Sequence, residues 1–133
     1  MKVLFICKGN VGRSQMAEAL FNRLSKLNHS VSAGADPGRW DGQIIHELVI
    51  KVMADLGYDL SLNRAKRITK EMVEDADKII AICKMEDLPD YVKDSGKLEN
   101  WDVVDPKGTS YEFHAKIRDE IKRLVEKLVK EIG

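Results

Sequence analysis

A cysteine and an arginine separated by five residues are the part of this sequence best suited to chemistry. The segment reads Cys7-Lys8-Gly9-Asn10-Val11-Gly12-Arg13-Ser14. A cysteine supplies a thiolate nucleophile, which needs no separate base. An arginine supplies a planar fork of N–H donors that binds two oxygens of a tetrahedral oxyanion at once. The spacing therefore predicts a thiolate beneath an oxyanion that the arginine and the loop N–H groups hold.

The elements on either side of this segment decide whether its groups converge. Val3 to Ile6 is a short apolar run, typical of a buried strand over 2–6, and apolar residues at helical spacing from Met16 to Leu27 predict a helix over about 14–27. The cysteine then ends a strand and the arginine begins a helix. A helix N-terminus attracts anions and favours the thiolate form of a nearby cysteine.

Composition places the chain among ordinary globular proteins. It has 133 residues, 44% of them hydrophobic, which predicts one domain over 1–133. Lys plus Arg and Asp plus Glu number 22 each, which argues against a nucleic-acid or membrane partner. The sequence shows neither a signal peptide nor a membrane span, and its two cysteines, Cys7 and Cys83, do not suggest a disulfide framework. A cytoplasmic location is expected.

Further strands and helices alternate along the chain. Strands are predicted at 30–33, 78–82 and 101–104. A helix is predicted to begin at an Asp41 cap and stop at Gly57, and another to run from a Thr69 cap to about residue 76. A short helix or turn is predicted at 85–92 and a last helix over 110–132. This alternation predicts an α/β fold with three layers, in which a four-stranded parallel sheet is flanked by helices on both faces. The strand ends at Cys7, Cys83 and Asp105 would then meet at one edge of the sheet.

The remaining chemistry needs a proton donor and supports for the loop. Asp105 follows the fourth predicted strand and Pro106 stiffens it, so Asp105 is the predicted general acid and Asp102 its nearest competitor. Asn10 is expected to brace the loop by side-chain hydrogen bonds. Ser14 is expected to donate a hydrogen bond to the thiolate.

Several residues leave two interpretations open. Cys83 is either plain core or a redox partner of Cys7, and Trp40, in a polar loop, is either ordinary packing or a wall for an aromatic substrate. For the histidines, a solvent or structural role is expected, since they are scattered on or beside helices at His29, His46 and His114. The loop matches neither the Walker nor the dinucleotide pattern, although a noncatalytic or nucleotide-binding loop remains an alternative.

On these motifs the chain resembles the low-molecular-weight protein tyrosine phosphatase superfamily, which also contains thiol-dependent arsenate reductases. The resemblance rests on the loop segment from Cys7 to Ser14, on Ser32-Ala33-Gly34, on Ile68-Thr69-Lys70-Glu71, on Cys83 and on Asp105-Pro106. It implies Cys7 as nucleophile, Arg13 as oxyanion binder, Asn10 and Ser14 as loop supports, and Asp105 as general acid. Residues 8–14, namely Lys8, Gly9, Asn10, Val11, Gly12, Arg13 and Ser14, would hold the phosphate. Neither a metal nor a cofactor is expected.

Departures from the family pattern bear on the activity. Many family phosphatases have a second cysteine where this chain has Gly12, and a tyrosine where it has Lys107. Thioredoxin-coupled reductases use three cysteines, whereas this chain has two. The expected function is hydrolysis of a phosphorylated protein or small phosphate ester through a phosphocysteine. The alternatives are arsenate reduction by Cys7, with Cys83 or an external thiol and a thioredoxin-type or glutaredoxin-type reductant, and noncatalytic binding of phosphate or a phosphopeptide.

Overall fold

Strands and helices alternate along the chain, as its sequence predicts. The computed structural model describes all 133 residues. Its parallel strands are β1 (Lys2–Cys7), β2 (His29–Gly34), β3 (Lys78–Ala81) and β4 (Leu98–Asn100), in the order β2-β1-β3-β4. Its helices are α1 (Arg13–Leu24), α2 (Glu47–Ala54), α3 (Lys70–Asp75), α4 (Asp90–Lys93) and α5 (Tyr111–Ile132), with 3₁₀ turns at Gly38–Trp40 and Met85–Asp87. The predicted fold class is confirmed.

Alternate residues of β1 face the two helical layers. Val3 and Phe5 pack in one core with side chains of α1, α2 and α5, and Leu4 and Ile6 pack in a second core with side chains of α3 and α4. All four are fully buried, and burial of each such side chain stabilises the fold by about 1.5–3 kcal/mol. β1, which ends at Cys7, is therefore packed against helices on both faces.

Helix α1 starts near its predicted position and ends earlier than predicted. It ends at Leu24 because Ser25 adopts an extended backbone while its N–H donates to the Phe21 carbonyl at 2.8 Å. The Ser25 hydroxyl then accepts the N–H of Asn28, which turns the chain toward β2. Leu27, counted in the predicted apolar stripe, is 84% exposed.

The predicted start of the second helix is wrong. His46, rather than Asp41, caps α2, and its Nδ1 accepts the N–H of Leu48 at 3.1 Å. Asp41 instead lies 3.9 Å from Arg67. Ile44 is 48% exposed and forms an isolated bridge with Arg64. Ile44 and Ile45, which precede the helix, thus continue its apolar spacing in the sequence without being helical.

The predicted fourth strand is also misplaced. The strand lies at Leu98–Asn100, where β4 pairs with β3 at the sheet edge. Residues 101–104 belong to no strand. Trp101 and Val103 are buried while Asp102 and Val104 are exposed. That alternation has the period of a strand, although burial against the helical layer produces it.

Helix α5 covers the larger core. Its buried residues lie on one side, at His114, Ile117, Ile121, Val125 and Leu128, and Ser110 caps it by accepting the N–H of Phe113 at 3.1 Å. The predicted helix over 110–132 is confirmed to within one residue. No helix in the chain has both the length and the apolar character needed to cross a bilayer.

Candidate active site

Cys7 lies at the carboxyl edge of the sheet, at the end of a strand that has a neighbour on each side. Its side chain is almost fully buried. The N–H of Asn10 donates to Cys7 Sγ at 3.2 Å, and Ser14 Oγ lies 2.9 Å from the same sulfur. Since a thiolate can only accept, both groups can stabilise it as donors.

Asn10 holds the loop through all the bonds that its side chain can make. Its Nδ2 donates to Ser14 Oγ at 2.8 Å and to Ser32 Oγ at 3.0 Å. Its Oδ1 accepts from Gln15 Nε2 at 3.0 Å and from the N–H of Lys66 at 2.9 Å. Asn10 has a φ of 57°, a left-handed conformation that asparagine tolerates better than most residues. The sequence predicted side-chain hydrogen bonds from Asn10 to the loop but named none of these partners.

Gly34, at the end of β2, lies directly against the loop. A Cβ at this position would lie 3.0 Å from the carbonyl oxygen of Lys8 and 3.1 Å from the carbonyl carbon of Gly9. Any larger residue would push the loop outward. The close approach fits the loop tightly against the sheet.

Arg13 opens α1 and its side chain turns back over the loop. Its Nη1 donates to the carbonyl of Val103 at 2.9 Å, and its Nη2 lies 3.6 Å from Asp105 Oδ2. The Arg13 side chain is 10% exposed. These contacts fix the plane of the fork, and its remaining N–H groups can bind an oxyanion.

The two candidate acids occupy different places. Asp105 lines the same pocket as Cys7, and its Oδ1 accepts the N–H of Lys107 at 3.0 Å. Asp102 lines a neighbouring cavity and does not reach this pocket. The geometry therefore favours Asp105 as the proton donor.

The pocket above the loop encloses about 250 Å³. Trp40, at the end of the 3₁₀ turn Gly38–Trp40, lines it. Lys107 Nζ lies 5.5 Å from the centre of the Trp40 ring, and the Arg39 guanidinium lies 5.9 Å from it. Of the two interpretations of Trp40, this position favours a pocket wall.

Two histidines line the same pocket, a position that their places in the sequence did not predict. His46 and His114 line it with their rings stacked, 5.5 Å between centroids and 23° between planes. Their separation along the chain gave no sign of the pairing. Burial lowers the pKa of His46, and the charges of His114 and Lys107 lower it further. His29 lies exposed at the start of β2.

Cys83 lies two residues beyond the end of β3 and packs in the core that faces α3 and α4. Burial, with smaller contributions from Cys7 and Asp87, raises the pKa of its thiol to about 12, while Arg13 opposes the rise. Cys83 lines the neighbouring cavity with Asp102. Both cysteines are free thiols. Burial favours the core interpretation of Cys83.

Comparison of the whole sequence with known families agrees with the motifs at this site. A model of the low molecular weight phosphotyrosine protein phosphatase family matches residues 2–133. The chain belongs to this family. It is 32% identical over 134 residues to the glutaredoxin arsenate reductase of Synechocystis sp., in an alignment that covers 99% of this chain and 98% of that protein.

Solved structures of the family agree. A low molecular weight protein tyrosine phosphatase from T. tengcongensis is 30% identical, covers 99% of each chain and superposes with a TM-score of 0.85. Wzb of Vibrio vulnificus, solved with benzylphosphonate, superposes with a TM-score of 0.91 at 23% identity over 98% of each chain, a likeness of fold. Phosphatases and arsenate reductases are both enzymes, and so is this member of the family.

Proposed function

We propose that this enzyme hydrolyses phosphate monoesters through a phosphocysteine. The observation that carries the proposal is the 3.6 Å contact between Arg13 Nη2 and Asp105 Oδ2 in the pocket that also contains Cys7. A nucleophile, an anion-binding fork and a carboxyl group that can act as acid then share one site. The phosphorylated group would bind with its oxygens on the loop N–H groups of residues 8–13 and on Arg13.

In the first step the Cys7 thiolate attacks phosphorus in line with the leaving oxygen. An S–P bond forms and the P–O bond to the leaving group breaks. Asp105, protonated at this stage, gives its proton to the departing oxygen. The charge on the phosphoryl oxygens is met by Arg13 and by the loop donors.

In the second step water attacks the phosphocysteine. Asp105, now a carboxylate, takes a proton from the water as the new O–P bond forms. The S–P bond breaks, phosphate leaves and Cys7 returns as a thiolate. Ser14 and the N–H of Asn10 stabilise that leaving sulfur.

The pocket favours an aromatic leaving group. Trp40 offers an indole face, and the pocket is lined by the apolar side chains of Val11 and Val49 below it. A phosphotyrosine in a protein or a small aryl phosphate fits this description. The two free thiols suit a reducing, cytoplasmic location.

Arsenate reduction is the second candidate, favoured by the name of the Synechocystis relative. Cys7 would attack arsenic and displace water to form an S–As bond. A second thiol would then attack the Cys7 sulfur, so that a disulfide forms, two electrons pass to arsenic and arsenite leaves. With a pKa raised to about 12 by burial, Cys83 is a poor attacking thiol. An external thiol of the glutaredoxin or thioredoxin type would have to serve.

One preparation assayed for both reactions tests the proposal. We expect 4-nitrophenyl phosphate hydrolysis that Cys7→Ser abolishes, with no comparable thiol-dependent arsenate reduction. Cys83→Ala serves as a matched control and should leave hydrolysis nearly unchanged. Arsenate turnover that is robust with an added thiol, beside negligible hydrolysis, would replace this proposal with the second candidate.

A further inference from the structure

The stacked rings of His46 and His114 lie between two loops whose relative position matters for the proposed reaction. One is the phosphate loop, residues 8–13. The other is the acid loop, residues 105–110, which carries Asp105. Neither histidine has a role in the steps above, although both line the pocket.

His46 is attached to the phosphate loop. Its backbone N–H donates to the carbonyl of Val11 at 3.2 Å. Its Nδ1 accepts the N–H of Leu48 at 3.1 Å, which fixes the ring as the cap of α2. The ring is therefore held rigidly at one side of the phosphate loop.

His114 is attached to the acid loop. Its side chain is buried, and its Nδ1 lies 2.9 Å from the Ser110 carbonyl, to which only a protonated Nδ1 can donate. The same nitrogen lies 3.3 Å from Thr109 Oγ1, and the Thr109 hydroxyl donates to the carbonyl of Pro106. A continuous chain of contacts thus runs from the His114 ring to the residue after Asp105.

We propose that the stacked pair joins the phosphate loop to the acid loop and thereby positions Asp105 over the substrate held above Cys7. His46 and His114 are positioning residues in this proposal, which rests on the proposed phosphatase function. The contact of their rings is the only link in this chain that is not a hydrogen bond. Its geometry therefore depends on the charge of the rings.

Protonation of His46 would break a contact that holds the pair in place. The Nδ1 of His114 carries its hydrogen, because it donates to the Ser110 carbonyl. His46 would have to take a proton on Nδ1 and lose the Leu48 N–H. Burial lowers its pKa, as do His114 and Lys107, while Glu47 and Asp105 oppose the shift. A proton on His46 would therefore release its ring from the α2 cap and loosen its link to the acid loop.

The test compares leaving groups. We measure kcat/KM for phenyl phosphate, a poor leaving group, and for 4-nitrophenyl phosphate, a good one. His114→Gln and His46→Asn should each lower the phenyl to nitrophenyl ratio about tenfold at neutral pH, since misplacing the acid affects only the substrate that needs it. Asparagine can still cap α2. The double variant should fall no further than the more impaired single variant, because the two rings act as one link.

His29→Gln is the matched control, since it removes an exposed histidine at the other end of the sheet. It should leave the ratio unchanged. Ratios in both pocket variants within about twofold of the unaltered enzyme would overturn the inference while leaving the phosphatase intact, since a displaced acid costs more than that. Absence of hydrolysis of either ester by the unaltered enzyme would instead overturn the proposed function, and this inference with it.

A second measurement needs no variant. The N–H of Lys107 donates to Asp105 Oδ1 and so reports the position of the acid. In an NMR titration through the range where imidazoles ionise, its cross-peak should move with the ring protons of His46. A Lys107 cross-peak that does not follow the His46 ring would contradict the link.

Discussion

Ser14 Oγ lies 2.9 Å from Cys7 Sγ, and its own hydrogen is free to point at the sulfur because Asn10 Nδ2 already donates to the oxygen at 2.8 Å. A thiolate in that position has a donor directed at it. The donor matters most when the sulfur must leave phosphorus, because the developing negative charge is then on the sulfur. The same contact contributes less when the sulfur is the attacking group.

Ser14→Ala should therefore slow the second step more than the first. A hydrogen bond to a charged group contributes about 1.5–3 kcal/mol, so we expect roughly a 10–100-fold slower hydrolysis of the phosphocysteine. Rapid-quench kinetics with 4-nitrophenyl phosphate should show a burst of nitrophenol as the intermediate accumulates. Ser95→Ala, in a distant turn, provides the control. Equal slowing of both steps would contradict this role.

Asn10 combines a left-handed backbone with a fully bonded buried side chain. Asn10→Gly keeps the permitted φ and loses the bonds, whereas Asn10→Ala loses both. Each should lower the free energy of unfolding by several kcal/mol at most, and the alanine variant should be less stable than the glycine variant by about 1 kcal/mol. Urea denaturation measures the difference. A glycine variant less stable than the alanine variant would show that backbone strain plays no part.

Asp105→Asn should slow turnover most for poor leaving groups. General acid catalysis typically contributes about 10²–10⁴-fold, and a good leaving group needs little of it. Stopped-flow assays over a series of aryl phosphates should show a steeper dependence on leaving-group basicity. Asp102→Asn is the matched control, because Asp102 lies outside the pocket. A steeper dependence in the Asp102 variant instead would reassign the acid.

Cys83 should resist alkylation in the folded enzyme. Burial raises the pKa of its thiol from 9.0 to about 12, which reduces the thiolate fraction near neutral pH about a thousandfold. Iodoacetamide treatment followed by mass spectrometry should therefore modify Cys7 alone, and inorganic phosphate should protect it. In urea both thiols should react. Modification of Cys83 at a rate close to that of Cys7 in the native enzyme would restore it as a candidate redox partner.

The local sequence pattern was enough to predict the loop after Cys7, the strand before it and the helix after it. The run before Cys7 and the helical spacing after Arg13 place a strand end and a helix start at the right residues, because both depend on burial of nearby side chains. Asp105 was preferred to Asp102 as the general acid, and the structure places Asp105, but not Asp102, in the pocket with Cys7. The reasoning behind that choice was only partly right, because the strand that Asp105 was predicted to follow lies at Leu98–Asn100.

Features that depend on distant residues could not be predicted in this way. Trp101 and Val103 alternate with exposed residues as a strand would, yet a ladder needs a neighbouring strand, and the residues that pair with β3 are Leu98–Asn100. His46 and His114 lie 68 positions apart in the sequence and meet only because α2 and α5 pack together. The hydrophobic periodicity of a single segment cannot predict a contact between two segments so far apart.

Cys7 ends β1, which has hydrogen-bonded neighbours on both sides for most of its length, β2 along one edge and β3 along the other. The amide protons of β1 should consequently exchange with solvent only when the whole protein unfolds, while those of residues 105–110, outside any ladder, exchange by small local openings. The part of the site that carries Cys7 is thus held by the sheet, whereas the part that carries Asp105 is not. In the proposed reaction, local opening of residues 105–110 would be enough to admit substrate and release phosphate, with Cys7 left in place.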